Sequence, residues 1–368
     1  MPPEGSAGRE AGRARRRPLG TLRDVTTQPQ VRARAIEAAP LATAAPIPGT
    51  VPTRPIPRGR GAVHKIRRFL IRTGPAYLFI LPAVAAMLFV HYIPMAGGIL
   101  VAFKDINLFT VTRWYDAPWV GLDNFVQGLN PDGFLGSRFW QSLWNVTFFG
   151  AVTITAGYVI GMAVALLLNR EFPGRTLVRG IILLPYITPD SVAYSVWRFI
   201  FQARIGLVNM WLMKLGIIDE PVIWLVGSNA IYAVMLAAIW KGWPFAALVL
   251  QAGLQTIPRE LYESAMIDGA SRWQRFRYIT LPMLAPVTRM LILVSILWNY
   301  NAFNQFYVML GKDPGPAADV PSTLILRETF STFNFGVGSA MSVVLMGVML
   351  VLTMLYLRAL RASERGQA

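Results

Sequence analysis

Ser295, Trp298, Asn299 and Ala302 fall at i, i+3, i+4 and i+7 of an apolar run, so they share a face if that run is helical. A hydroxyl and a carboxamide in such a setting need polar partners, so the face must meet protein or water. Asn supplies donors and acceptors suited to hydroxyl-rich ligands, and an aromatic ring offers an apolar face to stack against a sugar. The alternative is helix packing by Trp with interhelical Asn hydrogen bonds. Asp190 and Lys241 lie near the middle of two other apolar runs, where an isolated charge is costly. Three readings stand for them: a mutual pair, the lining of a cavity, or a proton- or ion-coupled relay. Covalent and metal chemistry find no residues. The chain has no Cys, and its two His, His64 and His91, are too far apart in sequence to form a His-based metal site. We therefore expect no catalytic residues, no metal and no cofactor. "GKD" at 311–313 lacks the spacing and the hydroxyl of a phosphate-binding loop, so ATP should not bind this chain.

The elements that position these residues are read from composition and hydropathy. Of the 368 residues, 54% are hydrophobic and only 15% charged. A soluble protein carries roughly 25% charged residues. Mean hydropathy is +0.44, and lipid is the expected solvent. Six runs reach the roughly 20 apolar residues needed to cross hydrocarbon, at about 75–102, 143–168, 180–201, 229–252, 287–310 and 337–357. Pro82, Pro94, Pro185, Pro189, Gly242 and Pro244 lie inside them. Kinks concentrated in the third and fourth runs suggest helices that line a cavity.

Net charge is +16, and residues 1–72 hold 15 Lys and Arg against 4 acidic residues. That Ala-, Pro- and Arg-rich segment reads as a disordered basic tail, and the positive-inside bias places it in the cytoplasm. With six spans, both termini are cytoplasmic, and the polar stretch between spans four and five faces the same side. Membrane lipid is an expected partner and nucleic acid is not.

That stretch, "ELYESAMIDGASRWQRFRYITLP" at 260–282, has its own order. Pro258 suits the first turn of a helix. Leu261, Ala265 and Gly269 follow at spacings of four, and Ala and Gly on one side permit close approach by another surface. Asp268-Gly269 is a helix stop. Ser271 to Gln274 is a capping box that opens a second helix, expected to end before Pro282.

With "ESAMIDGA" followed by "ITLP", this insert resembles the coupling-loop signature of binding-protein-dependent ABC importer permeases. Glu263, Ala265, Gly269, Ile279, Leu281 and Pro282 carry the match; Asp268 lies in the same bend, and Ser264 stands where the family has a second Ala. "WVGLDNF" at 119–125 and "ILLPYITP" at 182–189 extend the likeness over about 70–360. They point to the carbohydrate-uptake branch and to the larger membrane subunits of maltose-type and glycerol-phosphate-type importers.

The resemblance implies an all-α integral membrane protein of the bacterial cytoplasmic (inner) membrane. It would have a basic tail at 1–70, a six-helix permease domain at 71–360, a cytoplasmic coupling loop at 258–282 within it, and a tail at 361–368. It further implies cytoplasmic ATPase subunits, a second homologous permease chain, an extracytoplasmic solute-binding protein and a carbohydrate or polyol cargo. Ser295, Trp298 and Asn299, with Trp240, Gly242 and Phe245 from "WKGWPF", would lie on the substrate path. Phe245 lacks a phenolic hydroxyl, and Ala302 stands where the family would place an Asn. Both departures remove polar contacts.

Overall fold

The structure is a computed structural model that describes residues 77–365; the tail expected at 1–70 lies outside them. In chain order the helices are α1 (Tyr77–Val101), α2 (Asp123–Leu129), α3 (Phe134–Leu168), α4 (Arg175–Ile187), α5 (Asp190–Ile200) and α6 (Leu207–Lys214). They continue with α7 (Asn229–Gln255), α8 (Arg259–Ile267), α9 (Arg272–Tyr300), α10 (Asn304–Leu310), α11 (Pro321–Phe330) and α12 (Phe335–Arg365). Among the described residues there is no strand, only one isolated bridge between Lys104 and Trp119.

Five helices, α1, α3, α7, α9 and α12, are long and apolar enough to cross a membrane. The sixth expected run, 180–201, is not one helix but two, α4 and α5. Pro185 already removes one helical hydrogen bond within α4. Thr188, forced out of helical geometry by the following proline, is extended at φ −62°, ψ 130°, and Pro189 follows at φ −55°, ψ 139°. The expected run at 287–310 is also divided: α9 stops at Tyr300 and α10 begins at Asn304. By contrast, α3 starts nine residues before the expected run at 143–168, because Ser137, Arg138, Gln141 and Ser142 lower the hydropathy of turns that are nonetheless helical. Its 35 residues span about 52 Å, well beyond a hydrocarbon core of roughly 30 Å.

Pro282 does not end a helix as expected. A π turn at Phe276–Thr280 carries the chain through it, with the Leu281 N–H reaching back five residues to the Phe276 carbonyl. The same device precedes Pro94 in α1, where a π turn at Leu88–Tyr92 ends with the Ile93 N–H on the Leu88 carbonyl. Each π turn ends two residues before a proline, so the missing N–H falls at a seam that already departs from α spacing.

The centre of the bundle is the pair α3 and α7. Phe148 meets Tyr232, Gly161 lies against Ala246, and the Gln251 amide lies beside the Leu168 carbonyl, so the two helices run parallel. Gly157 and Gly161 form a G-x-x-x-G pair that permits this approach. A Cβ at Gly161 would sit 2.8 Å from the Ala246 Cβ and 2.9 Å from the Ala247 nitrogen. Helix α9 runs antiparallel to α3, with Asn299 beside Thr153 and Thr288 beside Tyr158. Helix α12 runs antiparallel to α9, with Met349 near Asn301 and Tyr356 donating to the Arg289 carbonyl. Half of the apolar window of α7 is buried, and none of that of α1.

Candidate functional site

A cavity of about 200 Å³ opens where α3, α7 and α9 converge with the broken pair α4–α5. Five of the six residues expected on a substrate path line it: Gly242, Phe245, Ser295, Trp298 and Asn299. Three rings from three helices form one wall. Tyr186 stacks on Phe245 with centroids 5.6 Å apart, and Phe245 meets Trp298 at 4.9 Å. The Asn299 amide is half engaged: its oxygen accepts from the Thr153 hydroxyl at 3.0 Å and its nitrogen donates to the Ser295 carbonyl at 2.8 Å.

Trp240 is the exception. It does not line the cavity; its ring meets Trp197 edge-on at 5.8 Å. The cavity face of α7 is Ala238, Lys241, Gly242 and Phe245, an i, i+3, i+4, i+7 set that leaves Trp240 on another side. Ala302 also leaves the face expected for it, because α9 ends at Tyr300; it is buried, and its carbonyl accepts from Ser322. In exchange the cavity takes Thr153, Tyr158, Tyr186, Tyr194 and Gln305, which the sequence reading did not single out. These are spread over four elements, α3, α4, α5 and α10, so no single spacing along the chain announces them. The Pro-flanked tyrosine of "LLPYITP" was the one visible hint.

Lys241 and Asp190 form the mutual pair, Nζ to Oδ1 at 3.1 Å, and Lys241 lines the cavity as well. Its ammonium does more than pair. It donates to the Thr188 carbonyl at 2.6 Å and approaches the Pro185 and Tyr186 carbonyls at 3.4 Å. Those carbonyls close α4, and Asp190 opens α5. Lys241 thus supplies donors and positive charge to the negative end of one half-helix, while its partner Asp190 supplies negative charge to the first turn of the other. Asp190 also accepts from Asn304 at 3.3 Å, which ties α10 to the break.

Next to the end of α7 lies the polar insert. Pro258 is the N-cap of α8, and Gly269 has φ +80°, the left-handed conformation that suits a glycine after a helix. Ser271 and Gln274 form the expected capping box. Tyr262 turns inward to bond Thr280 at 3.0 Å, and Ile279 and Leu281 pack beneath against the core of α7 and α9. Glu263, Asp268, Gly269 and Pro282 are exposed and Ala265 half-buried. Leu261, Met266 and Ile267 are exposed too, the last at 88%.

At the other end of α3 is a charge cluster absent from the sequence reading. Arg138 bonds Asp319 and also Asp313 at 2.9 Å, and Arg327 reaches Asp313 at 2.7 Å. Burial, outweighing its bonds to Arg138, holds the Asp319 carboxyl above its ordinary range. Burial also pushes the Asp313 carboxyl up, but Arg138 and Arg327 outweigh it and leave that group below its ordinary range.

A helical bundle with five membrane-length helices, a proline-broken helix and a ring-lined cavity defines a polytopic membrane protein of the transport class. The chain belongs to the family of binding-protein-dependent transport system inner membrane components, whose pattern matches residues 157–367. It is 33% identical over 284 residues to the trehalose/maltose transport system permease protein MalF of Thermococcus litoralis, covering 77% of this chain and 92% of that one. It is 32% identical over 290 residues to the sulfoquinovosyl glycerol transport system permease protein SmoG of Agrobacterium fabrum, covering 78% and 91%. A bacterial ABC transporter structure involved in the import of the acidic polysaccharide alginate shares the fold, with TM-score 0.70 and 24% identity over 81% of this chain and 99% of that one.

Proposed function

We propose that this permease moves a carbohydrate or related polyol across the bacterial inner membrane by alternating access, powered by a separate ATPase seated on α8. The observation that carries this reading is continuity. Helices α7 and α9 flank the insert directly, and both line the cavity. A displacement of the insert is therefore a displacement of two cavity walls. Leu261, Met266 and Ile267 are exposed among the described residues on an otherwise polar element, and they suit a protein partner. Glu263, Ala265, Asp268 and Gly269 shape the docking helix and its bend, while Ile279, Leu281 and Pro282 root it in α9.

The relatives named as sugar transport permeases support the cargo class, as do the neutral polar groups and rings of the cavity. A second permease chain and a solute-binding protein complete the assembly in this reading. We also infer six crossings. Because α3 and α7 run parallel, the chain between them must return across the layer, which makes α4 and α5 together one broken crossing. The start of α1 and the end of α12 then lie on the side of the insert, the cytoplasmic side in this reading. The boundaries 71–360 for the permease domain and 258–282 for the coupling loop follow. An ion-coupled carrier has no support here: Lys241 and Asp190 neutralise each other, and the family is binding-protein-dependent.

Extraction of the tagged chain in mild detergent tests this. An ATPase and a second permease should accompany it, and Gly269→Val, which cannot readily take φ +80°, should release the ATPase. A folded chain that brings no ATPase, under conditions that keep other complexes whole, would sink the proposal.

A further inference from the structure

The cavity's polar groups differ in how much bonding capacity they still hold. Lys241 is its one cationic side chain among the described residues. An ammonium has three N–H donors, and Asp190, the Thr188 carbonyl and the paired Pro185 and Tyr186 carbonyls take all of them. No donor is left for a carboxylate, sulfonate or phosphate, and the charge itself is balanced by Asp190. Asn299 keeps only part of its amide. By contrast, Tyr194, Gln305 and Ser295 make no side-chain hydrogen bond among the described residues, although each lines the cavity. Tyr194 is 95% buried, being only 5% exposed. Its ring is buried while its hydroxyl oxygen stays open, on a residue that lines the cavity, so a ligand or water there completes it.

These three groups come from α5, α10 and α9, and each is neutral and able both to donate and to accept. That set fits vicinal hydroxyls, while Tyr186, Phe245 and Trp298 supply ring faces. Resting on the carbohydrate reading above, we propose that the cavity is built for an uncharged saccharide, and that Tyr194 and Gln305 are its hydroxyl-reading residues. They supply polar contacts that Phe245 and Ala302 do not. Lys241 is a positioning residue, since it holds α5, and with it Tyr194, at the cavity wall.

The test is saturation-transfer NMR on the co-extracted permease–ATPase complex in nanodiscs, without a solute-binding protein, so that delivery does not select the ligand. The probes are trehalose and maltotriose as neutral saccharides and trigalacturonate as an acidic one. A neutral probe should bind and trigalacturonate should not. Tyr194→Phe and Gln305→Ala should each weaken the neutral probe roughly threefold to tenfold, the effect of one lost hydrogen bond. Recovery of the intact complex reports that each variant folds, and Tyr194→Phe, which removes one oxygen, guards against a folding failure at Gln305. Unchanged neutral binding in both variants overturns the residue assignment. Trigalacturonate binding that disappears in Lys241→Met overturns the charge assignment while leaving the carbohydrate reading in place. An assembled complex that binds none of the three probes overturns both.

Discussion

The molecule holds two charged sites of opposite character. Of Arg138 and Asp319, at the end of the bundle away from the insert, the carboxylate is buried and the guanidinium half-buried, with side chains 1% and 11% exposed. Lys241 is almost as buried at 12%, but its partner Asp190 is 45% exposed and faces the cavity region. The first pair joins α3 to the segment between α10 and α11, and Asn145 reinforces it by donating to the Pro316 and Asp319 carbonyls at 2.9 Å. The second bridges a gap within a single crossing. A pair with a buried carboxylate behaves as a clamp, because losing Arg138 leaves the buried Asp319 with only the longer contact to Arg327 at 3.6 Å. A pair with one wet side can open at low cost, which suits a site that must move while cargo passes.

The comparison predicts a graded series of losses. Arg138→Met should be the most damaging, lowering stability by roughly 3–5 kcal/mol, read as a fall in thermal midpoint or in recovered complex. A loss under 1 kcal/mol would mean the cluster is not a clamp. Lys241→Met should cost about 2–3 kcal/mol, mainly because the carbonyls of Pro185, Tyr186 and Thr188 lose their donor. Hydrogen exchange should accelerate at the break between α4 and α5, and equal acceleration across α7 would argue for general unfolding instead. Asp190→Asn should cost less than about 1 kcal/mol, since a half-exposed charge is replaced by water and salt. A loss as large as that of Lys241→Met would show that the ion pair, rather than the carbonyl contacts, holds the break.

The smallest effect concerns pH. The depressed Asp313 carboxyl contributes stability that is present above its ordinary range and is lost as pH falls through its lowered value. Asp319, raised by burial, works in the opposite sense: its protonation as pH falls toward the ordinary carboxylate range favours the folded form. Thermal midpoints in nanodiscs should therefore hold or rise slightly down to about pH 4 and then fall. Asp313→Asn should remove the part of the fall that lies below that point. An unchanged acid limb in this variant would show that other carboxylates govern it.

The legibility of these features followed their range along the chain. The insert was readable because caps and bends are local: Ser271 and Gln274 are three residues apart, and Gly269 needs no distant partner to adopt φ +80°. The helix after it was misjudged at Pro282, because a π turn can absorb a proline while the helix continues. On α9, Ser295, Trp298 and Asn299 kept their shared face, but Ala302 fell beyond the helix end. Trp240 lies off this cavity, and the sequence did not show it because aromatic character, unlike position on a turn, does not tell which side of α7 meets the cavity.

Sequence alone determined that this chain is a membrane-type helical protein, where its apolar runs lie, and where the polar insert interrupts them. These follow from composition and from contacts within a few residues. It also offered the pairing of Asp190 with Lys241 as one of three readings. Only the tertiary structure showed the pair and put Lys241 on the cavity wall as well, placed it over the broken helix, and gathered Tyr194 and Gln305 at one wall. It alone brought Arg138 to residues about 180 positions away. Hydropathy and helical period report which side of a helix is apolar, but groups from separate helices meet only when the bundle packs.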